Sequence, residues 1–146
     1  MKKYILIILC CLTSFPLWSY NVNMIVEHYS VDQGLPNNTV NCTLKDRDGF
    51  IWFGTFYCLC CFDGVKFKTF NKQEHDSDVP PRKIQRIVED KNGYIWVKTI
   101  DRKLYVFNKV TECFHAVYDD MKNYSENIQV IKLQNTAEGD VLLLTK

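Results

Sequence analysis

The sequence predicts an all-β fold, built from propeller-type repeats of four-stranded antiparallel blades and preceded by a signal-peptide helix. Three observations lead to this prediction. A stretch of about ten residues recurs 44 residues downstream, each copy holds a hairpin turn between β-rich runs, and helical periodicity is absent after residue 19. Repeat periods in the 40s are typical of propeller blades.

The amino terminus has the layout of an export signal. Lys2 and Lys3 precede an apolar run over residues 5–12, and Ser19 offers a small residue for a signal peptidase. We therefore expect residues 1–19 to be a signal peptide and the rest of the chain to be periplasmic. An uncleaved membrane anchor is the alternative, although the apolar run is short for a hydrocarbon core of about 30 Å.

Residues 20–33 are predicted to form a closing strand and its lead-in. The run from Ile25 to Ser30 is similar to the predicted fourth-strand runs at residues 67–70 and 114–117. Such a strand could complete the last blade of a ring and remove an unpaired sheet edge, which is a liability for a β-protein.

The first repeat is predicted at residues 34–72 and the second at residues 73–120. Asp48-Gly49 and Asn92-Gly93 are hairpin signals, because glycine tolerates positive φ and Asp or Asn tolerates the left-handed region. The strands predicted around these and the following turns are 39–44, 50–55, 59–63 and 66–71 in the first repeat, and 83–89, 94–99, 103–108 and 112–117 in the second.

Residues 121–146 are predicted to be a partial third repeat. Its alignment with the first two repeats at the 44-residue period is displaced by two residues toward the end, where the run Glu138 to Thr145 matches. The chain then holds about two and a half to three blades, whereas a closed ring needs roughly four to eight. We therefore expect an incomplete propeller, a truncated product or fragment, with exposed sheet faces and marginal stability or aggregation.

Composition argues against a nucleic-acid partner. The 146 residues include 18 basic and 17 acidic side chains, for a net charge of +1. Neutralising phosphates requires a basic patch or stripe, and none stands out. No cofactor is expected either, since His28, His75 and His115 share no spacing with a potential ligand or catalytic partner.

The cysteines and the acidic turns are candidate metal ligands. In a strand, Cys58 and Cys60 face one side and Cys61 the other, and no second ligand pair follows at zinc-site spacing. We predict these three cysteines to be small buried hydrophobes. The turn Asp46 to Gly49 lacks the downstream glutamate of a calcium loop and is predicted to be a solvated hairpin turn.

The residues of the first repeat resemble a known family. Gly34-Leu35-Pro36-Asn37-Asn38-Thr39-Val40, the turn Asp46 to Gly49, and Phe50-Ile51-Trp52-Phe53-Gly54-Thr55 are similar to the two-component regulator propeller repeat. This resemblance implies the extracytoplasmic sensor of a hybrid two-component system, often carbohydrate-responsive in Bacteroides-type bacteria. It also implies a larger parent with a membrane helix, a histidine kinase and a DNA-binding tail, for which a homodimer is expected. The chain itself would contact a membrane only through that parent or an uncleaved signal.

Four residues are candidates for ligand binding. Propeller ligands commonly lie on an end face, where loops are free to vary. Tyr57 offers a flat aromatic ring there, and Arg82, Asp101 and Arg102 offer charged hydrogen-bonding groups. The alternative is that these residues belong to ordinary solvated loops.

The predicted function is to sense a small extracellular ligand, an oligosaccharide in our interpretation, without catalysis. The repeats show no convergent carboxylates of the kind that glycoside hydrolysis needs, so we assign no catalytic residue. Two alternatives stay open: an exported propeller that serves as a protein-interaction module, and the start of a propeller lyase or glycosidase.

Overall fold

The structure, a computed structural model, describes residues 24–70, 80–117 and 129–146. The predicted signal peptide at residues 1–19 lies outside the described residues, as do the predicted boundaries between repeats at 72–73 and 120–121. No helix in the described parts is both long enough and apolar enough to cross a membrane.

Within these ranges the chain forms a short 3-10 helix, Val31–Gln33, and ten strands. They are β1 Val40–Lys45, β2 Ile51–Thr55, β3 Leu59–Phe62, β4 Phe67–Phe70, β5 Ile84–Glu89, β6 Ile95–Thr99, β7 Leu104–Asn108, β8 Cys113–Ala116, β9 Val130–Asn135 and β10 Val141–Thr145. The first eight lie within one residue of their predicted bounds.

The strands form three antiparallel sheets. Their orders are β1-β2-β3-β4, β5-β6-β7-β8 and β9-β10, which we call blade 1, blade 2 and blade 3. The prediction of an all-β fold with four-stranded antiparallel blades is confirmed. One end of the blades carries the β1–β2 and β3–β4 turns and their counterparts in blade 2. The other end, which we call the loop face, carries the β2–β3 and β6–β7 connections and residues 80–83.

The hairpin turns repeat the same chemistry. Asp46 accepts hydrogen bonds at Oδ1 from the backbone N–H groups of Asp48 and Phe50, at 3.0 and 2.9 Å. Asp90 does the same for Asn92 and Tyr94, at 2.9 and 3.0 Å. Glycine follows at positive φ in both turns, with values of 94° at Gly49 and 87° at Gly93. In blade 3, the hydroxyl of Thr136 replaces this carboxylate and accepts from the backbone N–H of Asp140.

The main hydrophobic core lies between blades 1 and 2. Trp52 and Phe70 of blade 1 stack with their ring centroids 5.3 Å apart, and both contact the Phe107 ring of blade 2. A second cluster joins blades 2 and 3 through Val88, Leu104, Val130 and Leu133. Trp52 and Trp96 therefore pack in the cores between adjacent blades, as predicted from their recurrence.

The outer face of blade 1 is less covered than the equivalent face of blade 2. Ile51 is 37% exposed, whereas Ile95 at the matching position is fully buried against blade 1. The Tyr29 ring covers part of the outer face, with centroids 4.9 Å from Phe62 and 5.6 Å from Phe67. Residues 24–30 form no strand with the described residues. The expected partner of a closing strand is a last blade that the described residues do not include, so the closing strand stays a prediction.

Candidate functional site

Main-chain hydrogen bonds tie the loop face of blade 1 to that of blade 2. The N–H of Phe56 donates to the carbonyl of Thr39, and the N–H of Lys83 donates to the carbonyl of Phe56 at 2.9 Å. The carbonyl of Lys83 in turn accepts from the N–H of Ile100 at 2.9 Å. The two loops and residue 83 therefore form one connected backbone frame.

A buried threonine accepts hydrogen bonds from the backbone of each loop. The hydroxyl oxygen of Thr55 accepts from the N–H groups of Tyr57 and Cys58, at 3.1 and 2.9 Å. The hydroxyl oxygen of Thr99 accepts from the N–H of Lys103 at 3.1 Å. Both threonines are buried, so these bonds are shielded from competing water. They position the backbone of the loops and leave the loop side chains free to face solvent.

The structure brings Tyr57 and Arg82 together. The guanidinium carbon of Arg82 lies 5.3 Å from the centroid of the Tyr57 ring, which is a cation–π contact. Tyr57 remains 55% exposed, so one side of the ring is still available to a ligand.

Asp101 and Arg102 form a second group on the loop face. The Asp101 carboxylate lies 3.8 Å from the ammonium of Lys103, and the Arg102 guanidinium donates to the side-chain oxygen of Gln129. Arg102 adopts a positive φ of 66°, and its guanidinium contacts Gln129 just before blade 3. The four predicted residues therefore lie on the loop face, where Tyr57 contacts Arg82, while Asp101 and Arg102 contact Lys103 and Gln129.

A groove of about 290 Å³ opens at the opposite end of blades 1 and 2. Phe50, Trp52 and Phe70 supply aromatic walls, and an ion pair between Lys68 and Glu112 lies at the rim. This groove is an alternative site for a flat ligand, and sequence reasoning did not identify it. Its walls come from two blades, whose contact the sequence does not reveal.

Charged side chains meet between blades 1 and 2, in what we call the interblade cluster of Asp46, Asp48, Glu89 and Lys109. The Lys109 ammonium lies 3.1 Å from Asp46, 2.7 Å from Asp48 and 2.8 Å from Glu89. Arg47 adds a bond from Nε to Glu89 at 3.1 Å. Sequence reasoning missed this cluster because Lys109 lies 63 residues from Asp46 along the chain.

The interblade cluster corrects the prediction of a solvated hairpin turn at Asp46. This residue is only 5% exposed, since blade 2 covers it. Burial raises the pKa of Asp46, but hydrogen bonds from Trp52 and Lys109 outweigh that effect and leave the pKa below its ordinary value. Oxygens of Asp46, Asp48 and Glu89 lie within 4.8 Å of one another, as cation ligands would. The Lys109 ammonium already bonds all three and offsets part of their negative charge.

Cys58, which precedes β3, and Cys60 and Cys61 within it are buried, as predicted. Burial raises the pKa of Cys60 to about 12 and that of Cys61 to about 11. Both thiols are therefore protonated at neutral pH, which disfavours metal binding because the thiolate is the ligand.

The bond between Trp52 and Asp46 gives a first prediction. The indole N–H donates to the buried carboxylate at 2.8 Å. Trp52→Phe removes this donor, and we expect a loss of about 2 kcal/mol in the free energy of unfolding, since a hydrogen bond to a charged group contributes about 1.5–3 kcal/mol. Urea denaturation followed by circular dichroism measures the loss. Tyr94→Phe, which removes an exposed hydroxyl, is the control, and an equal effect of the two variants would refute the role of this bond.

Comparison with known families and proteins agrees with this architecture. Residues 34–57 match the family model of the two component regulator propeller. The sequence is 32% identical to Histidine kinase P4 of Formosa agariphila in an alignment of 84 positions that covers 53% of the chain. The chain spans 6% of that kinase.

Two solved structures from B. thetaiotaomicron share the fold. The extracellular domain of a hybrid two component system is 25% identical, with a TM-score of 0.60 over 80% of this chain and 17% of its own. The extracellular domain of a one component system is 24% identical, with a TM-score of 0.55 over 77% of this chain and 15% of its own. The chain thus resembles a small part of each relative.

Proposed function

We propose that this chain, which carries a two-component regulator propeller repeat, is part of an extracytoplasmic domain that binds a small ligand and catalyses no reaction. Its likeness to extracellular domains of two-component systems supports a sensory role. The loop face supports ligand binding, since a rigid backbone frame there presents exposed aromatic and charged side chains.

We further propose that the ligand is a carbohydrate. The Tyr57 ring provides a flat apolar surface for the C–H face of a sugar, and Arg82 lies against that ring. Asp101 and Arg102 provide an acceptor and a planar set of donors for hydroxyl groups. This arrangement would suit an oligosaccharide long enough to touch both pairs.

Signalling would follow from differential affinity. A ligand shifts an equilibrium between two arrangements only by as much as it binds one of them more tightly. A bound oligosaccharide would join the loops of blades 1 and 2 to the start of blade 3, where Arg102 contacts Gln129. In a dimeric parent sensor, it would thereby favour one arrangement of the paired domains.

The test is a screen of the purified chain against a panel of oligosaccharides by thermal shift, followed by titration calorimetry of any sugar that binds. We expect Tyr57→Ala and Arg102→Ala each to weaken binding about tenfold, equivalent to about 1.4 kcal/mol.

Phe50→Ala is the matched control, because Phe50 is an exposed aromatic residue at the other end of blade 1. Its binding should equal that of the unmodified chain. If Phe50→Ala weakens binding and Tyr57→Ala does not, the ligand binds in the groove at the turns and the loop-face assignment is wrong.

A further inference from the structure

A cleft of about 280 Å³ lies between blades 2 and 3. Three cationic side chains line it, and no carboxylate does; the lining residues are Gln85, Arg86, Lys98, Ile131, Lys132 and Leu133. No lining carboxylate offsets these three positive charges, so the cleft has a positive potential.

Lys98 is the most informative of the three. It is 6% exposed, and its ammonium donates to the side-chain oxygen of Gln85 at 2.8 Å and to the carbonyl of Ile131 at 2.6 Å. Both acceptors are neutral, and no carboxylate of the described residues pairs with it. Burial lowers the pKa of Lys98, and the nearby charge of Arg102 lowers it further. A buried charge without a counter-ion is costly to a fold.

Packing does not explain this lysine. In blade 1 the equivalent position is Gly54, where an added Cβ would lie 2.5 Å from Cys42 Sγ and 2.6 Å from Ile84 Cγ2. The junction of blades 1 and 2 is thus closed against any side chain. The junction of blades 2 and 3 instead accommodates a lysine side chain and still leaves a cleft. The two junctions therefore differ in how closely the adjacent blades pack.

Arg86 and Lys132 occupy matching places beside this cleft. Both follow a bulge of the inner strand, which skips Gln85 in β5 and Ile131 in β9. Bulges re-aim side chains and are frequent beside binding sites. Both residues are exposed, and neither forms an ion pair within the described parts of the chain. Blade 1 has the uncharged Cys42 at this place, so a cationic side chain follows the bulge in blades 2 and 3 but not in blade 1.

We propose that this cleft binds the anionic group of a small ligand, a carboxylate or a sulfate- or phosphate-type oxyanion. Such a group would neutralise Lys98 and accept charge-assisted hydrogen bonds from Arg86 and Lys132. The inference deepens the proposed sensory function and rests on it, because it assigns a charge to the ligand.

The experiment titrates the full chain with galacturonate, inorganic sulfate, inorganic phosphate and neutral galactose at low ionic strength, by calorimetry. We expect at least one anion to bind and galactose to bind far more weakly. Binding should weaken as salt is added, since screening reduces the attraction. The anion that binds best distinguishes a carboxylate source from a sulfate or phosphate source.

Variants then locate the site. Arg86→Gln and Lys132→Gln are each expected to weaken anion binding about tenfold. Lys45→Gln, an equal charge change at an exposed position of β1, should leave it unaltered. Lys98→Met should abolish binding, and circular dichroism checks its fold. The Arg86 and Lys132 variants carry the test if Lys98→Met unfolds, because both residues are exposed.

The proposal is overturned if none of the anions binds, or if the Arg86 and Lys132 variants bind as tightly as the unmodified chain. The sensory function has its own test in the Tyr57 and Arg102 variants with oligosaccharides. Anion binding without any sugar binding would therefore reject the carbohydrate proposal alone, and the reverse result would reject the anion cleft alone.

Discussion

Lys109→Met is expected to lower the free energy of unfolding by about 3 kcal/mol, because breaking a buried ion pair on one side leaves unpaired charge behind. The change leaves Asp46, Asp48 and Glu89 facing one another without their shared cation. Arg47 still pairs with Glu89, but Asp46 keeps only the Trp52 indole and backbone donors. Urea denaturation followed by tryptophan fluorescence measures the loss.

The effect of Lys109→Met should depend on pH. The pKa of Asp46 is lowered in the folded chain, so its stabilising contribution is present above the unfolded pKa of about 3.9 and is lost as pH falls through the folded pKa. In the variant, protonation relieves the repulsion among the carboxylates. The difference between the two proteins should therefore be full at pH 7 and shrink below about pH 4.

Lys103→Met is the control for this prediction. Its ammonium lies 3.8 Å from Asp101, and both side chains are about half exposed. An exposed pair of this kind contributes about 0–1 kcal/mol. If Lys109→Met and Lys103→Met cost the same, the interblade cluster does not hold the blades together.

Phe107→Ala is expected to cost about 4 kcal/mol, since truncating a buried phenylalanine typically costs 3–5 kcal/mol. Phe107 is fully buried, and its ring lies 4.7 Å from Phe70, 4.8 Å from Phe114 and 5.5 Å from Trp52. Its removal would open a cavity where the two blades meet. The midpoint of urea denaturation measures the cost.

Phe56→Ala makes the same chemical change at a half-exposed position of the loop face. We expect it to cost less than about 1 kcal/mol, because about half of the side chain already contacts water. Equal losses for the two variants would mean that blades 1 and 2 do not share a core in solution.

The strands could be predicted from local signals. Asp48-Gly49 and Asn92-Gly93 mark the hairpins, and the recurrence of Trp52 at Trp96 sets the period. These features are local, because a turn and its flanking strands are neighbours in the chain. For the same reason the burial of Cys58, Cys60 and Cys61 could be predicted.

The contacts between blades could not be predicted in this way. The bonds of Lys109 to Asp46 and of Lys98 to Ile131 join residues 63 and 33 positions apart. Both depend on how far one sheet stands from the next, which no local pattern encodes. One sequence feature does point to the junction of blades 2 and 3. The second repeat has Lys98 at the position where the first repeat has Gly54.

The buried threonine beside each loop bears on which substitutions the loop face can accept. The hydroxyls of Thr55 and Thr99 hold amide groups, which every residue type except proline supplies equally. Any residue other than proline at the exposed positions 57 and 103 therefore keeps these bonds. Substitutions there would change the surface offered to the proposed ligand and keep the hydrogen bonds that hold the loops.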